Sequence, residues 1–179
     1  EAHARLEREA EAGPYRPYRD VLAVVARRAA GEWGWPLAPE RARFLADSLA
    51  AWPPYPDTNP ALRRLARRYR LAILSNVDDD LLAATLEHLD VRFDLLVTAE
   101  RVRSYKPGAA HFREAARRIG GADAVLHVAR SLYHDVRPAL ALGWAVAWVN
   151  RGDERMPAEI RGAVLEAPDL AALADRLGA

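Results

Sequence analysis

Three short polar clusters each follow an apolar run that reads as a β-strand. They are Ser75-Asn76 after 71–74, Lys106-Pro107 downstream of 94–98, and RSLYHD (130–135) after 124–129. In a parallel sheet all carboxyl ends share one edge, so residues far apart in sequence can meet there. The convergence would unite the Ser75 hydroxyl, the Asn76 amide, the Lys106 ammonium and the Asp135 carboxylate. Such a set suits an anionic small molecule attacked by a carboxylate. The hydroxyl and amide hold the anion, and the ammonium neutralises charge building on the nucleophile. Asp135 positions a water or a cation. Lys106, Asp135 and Ser75 are therefore the catalytic candidates. Ser75, Asn76, Ser131 and Arg151 are the substrate-binding candidates, Arg151 because it follows the last strong strand in WVNRG (148–152) and can reach an anion at the site mouth.

Lys106 is singled out by composition as well as position. Of 26 basic residues it is the only Lys, the others being Arg. A bias of that kind replaces Lys wherever a guanidinium serves equally well. A compact ammonium fits among carboxylates as a point charge, whereas a planar guanidinium needs more room and a fork-shaped partner.

The remaining polar residues have quieter readings. Asp78, Asp79 and Asp80 suit helix caps, with Asp78 or Asp79 opening the helix after Ser75-Asn76. His134 reads as a solvent-facing helix-start residue, while His88, His111 and His127 read as packing or exposed residues. No pair has metal-ligand spacing. Arg63, Arg64, Arg67 and Arg68 form a solvated helix face, and Trp33, Trp35 and Trp52 read as packing residues.

Elements must hold the three clusters in place. Residues 1–12, 18–30 and 39–49 carry apolar side chains at helical spacing with no strand between them, and the Pro-rich WPPYPDTNP (52–60) marks a boundary. Beyond it the texture alternates. Strands are expected at 71–74, 94–98, 124–129 and 145–149, with a short one at 164–165, and helices at 61–69, 79–88, 109–119 and 136–142. The 71–74 run, LAIL, reads as a strand buried on both faces. The rhythm predicts an α/β fold, a doubly wound (Rossmann-like) parallel sheet with right-handed crossovers. Residues 1–56 would form a small helical domain and 57–179 the α/β core.

Bulk properties narrow the function classes. A chain of 179 residues can bury a full core, and a net charge of +1 gives no electrostatic case for nucleic acid or a membrane surface. The absence of Cys removes disulfides, a thiol nucleophile and cysteine-ligated metals. No apolar run approaches a membrane span and none reads as a signal peptide, so a cytoplasmic enzyme is expected. These properties leave room for a homodimer.

The wording of the three clusters, LSNVDDDLL, SYKPGAAHF and HVARSLYHDVRPA, resembles motifs two, three and four of the haloacid dehalogenase superfamily. It is similar to the 2-haloacid dehalogenase-like branch. The resemblance spans 57–151, and the three motifs occur in the family's order. It implies a small helical cap inserted after the first core strand, and a covalent mechanism in which an Asp attacks carbon or phosphorus and water hydrolyses the aspartyl intermediate. By the same resemblance Ser75 and Asn76 would hold the anionic or leaving group. Lys106 would pair with the nucleophile, and Asp135 would orient water or help hold Mg²⁺.

Two departures shape the expectation. The family's nucleophile sits in a D-x-x-G-T-like motif ending a first strand, and no segment here matches it. Because the sequence opens without Met, that strand is expected to precede Glu1. The strands at 71–74 and 124–129 would then lie about 10 Å apart instead of the usual 4.8 Å. If the two strands pair directly, the chain is a non-catalytic binding protein on the same scaffold. Where the family's phosphatases carry an acidic residue for Mg²⁺, this chain has Arg130, which favours metal-free chemistry on a 2-haloacid. Leu132 stands where the dehalogenases carry Asn. No cofactor is expected, and Mg²⁺ enters only under the alternative, a small-molecule phosphatase.

Overall fold

The computed structural model describes residues 2–179. It opens with helices and continues as alternating strands and helices. Helices α1 (Ala2–Glu11) and α2 (Tyr18–Glu32) pack against each other and bury Leu6, Ala10, Val21 and Val25. A short helix α3 (Phe44–Ser48) lies between two single 3₁₀ turns, where one continuous helix over 39–49 was expected. Pro39 opens the first of those turns, a position where its missing N–H costs nothing.

The α/β part begins with α4 (Thr58–Leu65). It continues through β1 (Ala72–Ser75), α5 (Asp79–Leu86), β2 (Leu95–Thr98), α6 (Ala99–Val102) and α7 (Ala110–Ile119). It ends with β3 (Leu126–Ala129), α8 (Arg137–Ala141), β4 (Ala145–Val149), β5 (Val164–Ala167) and α9 (Leu170–Arg176). All strand pairs are parallel, as the alternating pattern requires. The main core lies where Val97, Phe112, Val136, Trp144, Val146 and Trp148 meet. No described helix is long and apolar enough to cross a membrane.

Instead of one sheet there are two, β1-β2 and β3-β4-β5. No strand pairing joins β1 to β3 among the described residues. That break explains a difference from expectation. The β1 run reads in sequence as buried on both faces, yet Ala72 is exposed and Ile73, Leu74 and Ser75 are only half-buried. On β3, Val128 is 38% exposed, whereas β4, paired on both sides, buries Val146 through Val149. Partial exposure on β1 and β3 thus accompanies an edge that lacks a neighbour.

The surface also departs from sequence expectation. Trp33, Trp35 and Trp52 are each more than half exposed, so they are not the packing residues their type suggested. Trp33 and Trp35 cover each other instead, their ring centroids 4.8 Å apart. The arginines of α4 are not merely solvated. Arg64 donates to the Ala179 carbonyl and to Asp175, and with Arg68, in the turn after α4, which donates to the Gly178 carbonyl, it clasps residues 175–179, while Arg63 pairs with Asp90.

Candidate active site

The segment 104–108, SYKPG, does three positioning jobs at once. The Gly108 N–H donates to the Tyr105 carbonyl at 2.9 Å, closing a turn, and the Lys106-Pro107 peptide within it is cis. A Cβ on Gly108 would stand 2.8 Å from that carbonyl oxygen, so the turn needs glycine at this point. Tyr105 points toward the helices. Its ring stacks on Tyr15 at 5.6 Å and its hydroxyl donates to the Arg16 carbonyl at 2.8 Å. Lys106 points the other way and is 6% exposed.

The Lys106 ammonium lies 2.6 Å from Asp135 Oδ1 and 2.7 Å from the Leu74 carbonyl. It therefore links the edge of β1 to the residues that follow β3. Asn76 fixes the lysine from below: its Oδ1 accepts from Lys106 N–H at 2.8 Å, and its Nδ2 donates to the Lys106 carbonyl at 3.0 Å. The second Nδ2 proton faces Glu11 Oε1 at 3.3 Å. With both N–H groups facing acceptors, the Asn76 amide orients Lys106.

Asp135 sits in a single π-type turn, Leu132–Val136, that leads into α8. The Ser131 hydroxyl accepts from His134 N–H at 3.1 Å and lies 3.2 Å from His134 Nδ1. The Ser131 hydroxyl thus caps the turn, a local role to which its side chain is suited. π-Turns of this kind recur at functional sites because they re-aim one side chain. Here the side chain is Asp135, whose Oδ1 is also 3.0 Å from His127 Nε2. Burial pushes the Asp135 carboxyl up, but the His127 hydrogen bond and the Lys106 charge outweigh it and hold the group below the usual range.

Two further histidines border the cluster. His111 is fully buried, with Nε2 3.1 Å from the Ser75 carbonyl oxygen and Nδ1 without a hydrogen-bond partner. Burial, reinforced by the Lys106 charge, lowers its pKa to about 4, so the ring is neutral and donates from Nε2. His134 is not solvent-facing. Its Nε2 lies 3.2 Å from Glu11 Oε2, off the direction of a hydrogen bond, and its side chain is 19% exposed. Burial pushes the Glu11 carboxyl upward, opposed in part by His134. Through Glu11 the last residue of α1 reaches the strand-end cluster.

The other candidates are placed differently. Ser75 lies at the end of β1, and its hydroxyl has no partner among the described residues. Arg151 makes a bidentate pair with Asp57, at 3.0 and 2.8 Å, and its guanidinium lies 4.1 Å from the Tyr55 ring centroid. The pair holds the Asp57 carboxyl below its usual range. A fork-shaped partner already satisfies this guanidinium, so the structure does not bring Arg151 to the Lys106 cluster as an open anion contact.

Asp78 occupies the N-cap position of α5, but its carboxylate turns away. It accepts from Tyr18 N–H at 2.7 Å and Arg19 N–H at 3.1 Å, capping α2 across the interface. Asp79 and Asp80 pair with Arg101 and Arg19.

Among the described residues the donor set does not fit Mg²⁺. Asp135 is the only carboxylate at Lys106, its Oδ1 already receives an ammonium and an imidazole, and no group of three or more His, Asp or Glu side chains converges. Arg130 points to Glu154 at 3.9 Å.

Sequence reasoning missed Tyr105, His111, His127 and Glu11. The order H-V-A after an apolar pair does put His127 on an alternate strand face, but nothing in the sequence says which face meets Asp135.

Comparison with known proteins gives the chain a family. A family model described as haloacid dehalogenase-like hydrolase matches residues 5–143. The haloacetate dehalogenase H-2 of Moraxella sp. (strain B) is 32% identical over 102 residues, 55% of this chain and 45% of that protein. The (S)-2-haloacid dehalogenase of Pseudomonas putida is 31% identical over 143 residues, 78% of this chain and 63% of that protein. The chain thus spans less than two thirds of the length of these relatives. Among solved structures, an L-2-haloacid dehalogenase from Xanthobacter autotrophicus with chloropropionic acid covalently bound superposes with a TM-score of 0.82. That match covers 99% of this chain and 84% of the other, and at 20% identity it shows the fold alone.

Proposed function

The chain belongs to the haloacid dehalogenase-like hydrolases, and from that premise we propose that it forms the Lys106 half of a site that removes halide from a small 2-haloacid. The observation that carries the reading is the buried Lys106–Asp135 pair, 2.6 Å apart, standing where the edges of β1 and β3 have no neighbour. The proposed nucleophile is an Asp on a further strand that pairs between those edges. One of its oxygens attacks the substrate carbon, a C–O bond forms, and the halide leaves with the C–X electron pair. Water then adds to the ester carbonyl carbon, and the 2-hydroxy acid and the carboxylate separate with loss of a proton.

Roles follow from the valences left open. Lys106 uses two of its three N–H donors on Leu74 and Asp135, and the third is available to the nucleophile. Asp135 Oδ2 has no donor among the described residues and is placed to accept from the hydrolytic water. The free Ser75 hydroxyl is the proposed donor to the substrate carboxylate. The helices up to residue 56 act as the cap over this edge, which Tyr105 and Glu11 tie to the site.

The test is halide and phosphate release by the full-length protein, from 2-chloropropionate and from a small phosphate monoester, with and without EDTA. Halide release that EDTA leaves unchanged is expected. EDTA-sensitive phosphate release would install the phosphatase reading, and no turnover of either would favour a binding protein.

A further inference from the structure

We propose that His127 is a positioning residue, which fixes the direction of the Asp135 carboxylate while Lys106 supplies its charge. The inference rests on the reading of Asp135 as the residue that orients water. An ionised carboxylate has only acceptors, so the 3.0 Å contact between His127 Nε2 and Asp135 Oδ1 requires a proton on Nε2. Lys106 approaches the same oxygen at 2.6 Å. Together they saturate Oδ1 and leave Oδ2 as the open acceptor.

The two donors are not equivalent. An ammonium on a four-carbon stem is a point charge with rotatable donors, and it can follow a carboxylate through a change of rotamer. An imidazole N–H has one direction, and this ring cannot swing to follow. It projects from β3 with its centroid 5.2 Å from that of Phe112 and 6.1 Å from that of Trp144, both edge-on and both buried. Moving it would displace two close-packed aromatics. A water held by a carboxylate free to rotate is misplaced for attack, and a misplacement of about 1 Å can cost roughly 100-fold in rate. His127 thus converts a mobile acceptor into an aimed one.

The experiment uses the full-length protein with 2-chloropropionate. His127→Phe keeps an aromatic ring against Phe112 and Trp144 but removes the donor, and His127→Gln returns an amide N–H near the Nε2 position. We expect kcat to fall about 10- to 100-fold in His127→Phe, up to the loss that an ångström of misplacement brings. KM should change little, the melting temperature should hold, and most of kcat should return in His127→Gln. Wild-type kcat in His127→Phe, or His127→Gln as slow as His127→Phe, would overturn the inference. A readout that needs no variant to fold is the ¹⁵N shift of His127 Nε2 at pH 7, expected to be that of a protonated ring nitrogen. An unprotonated Nε2 would also overturn it. Asp135→Asn run in parallel keeps the two readings apart: wild-type turnover there removes the proposed role of Asp135 itself, whereas loss there beside a fully active His127→Phe removes only the role of His127.

Discussion

Two ionic clusters lie along the same carboxyl edge of the strands, and they differ in how completely they are closed. Beyond β2, Asp79 accepts from Thr98 Oγ1 and takes the Arg101 Nε on both oxygens. Asp80 is paired with Arg19, and the Asp79 N–H donates to Glu100. Guanidinium donors meet carboxylates, and the partners sit part-exposed at the surface. Around Lys106 the ammonium and the Asp135 carboxylate are buried, the cation is the chain's only Lys, and among the described residues three valences stay open: one Lys106 N–H, Asp135 Oδ2 and Ser75 Oγ. Burying a charge is tolerated only when it is paired, and leaving such a cluster incomplete works against stability. The closed cluster is what a fold needs. The open one is what a substrate site needs.

The largest effect that separates the clusters should come from Lys106→Met in the full-length protein. Halide release should fall by at least about 100-fold, the range seen when a group that stabilises developing charge is removed. Stability should fall as well, by roughly 3 kcal/mol, because Asp135 remains buried with only His127 beside it. A variant with wild-type halide release would break the contrast, since the buried pair would then be as structural as the exposed ones.

A second effect of similar size in stability concerns pH. His111 is held neutral with a pKa lowered to about 4, whereas an unfolded His titrates near 6.5. Above pH 6.5 neither state binds the proton and the full stability is present. As pH falls toward 4 the unfolded chain takes up a proton that the folded chain refuses, so stability declines by on the order of 3 kcal/mol across that window. His111→Gln should flatten the decline, as read from chemical denaturation midpoints between pH 7 and pH 4.5. An equally steep decline in the variant would assign the acid sensitivity to other groups.

How far the sequence disclosed this arrangement depends on the kind of signal. The strands were legible because short apolar runs between polar ends have few alternatives, and 145–149 agrees with β4 to the residue. The convergence of the strand ends followed from parallel topology alone, which brought Lys106 and Asp135 to one place. What was not legible was the use of each polar atom. Asn76, Ser131 and Arg151 have side chains suited to anions, yet each is spent on a near neighbour: the Lys106 backbone, the turn at His134 and Asp57. Whether a donor is free depends on the three-dimensional neighbour, which spacing does not encode. The same holds for the exposed tryptophans, since residue type states a preference for burial and not whether a partner surface is present.

Asp78 gives the comparison an intermediate point, because it belongs to the acidic run but is 2% exposed. Its carboxylate caps the first turn of α2, so Asp78→Ala should cost about 2 kcal/mol, the upper end for loss of a helix cap. The loss should appear as a lower melting temperature with halide release unchanged below the transition. A large fall in kcat would mean that the docking of α2 on the core governs chemistry and not only stability.

The smallest effect should be that of Arg101→Ala, and it sharpens the comparison because the Arg101–Asp79 pair is as short as many buried ones and yet exposed. Arg101 Nε lies 2.9 Å from both Asp79 oxygens; burial pushes the Asp79 carboxyl up, but the Thr98 hydrogen bond and then Arg101 outweigh it and hold the group below its usual value. Yet each side chain is 40% exposed, so water competes for both partners and salt screens their attraction. Removal should cost no more than about 1 kcal/mol, part of it from the lost bond to the Leu96 carbonyl. The cost should shrink between low and high salt, because the screened part of the interaction is already absent at high ionic strength. Halide release should be unchanged at both. Denaturation midpoints of the wild type and Arg101→Ala at 20 mM and 1 M NaCl measure this directly, and a cost above about 2 kcal/mol that salt leaves untouched would show that good geometry alone makes an exposed pair behave like the buried one.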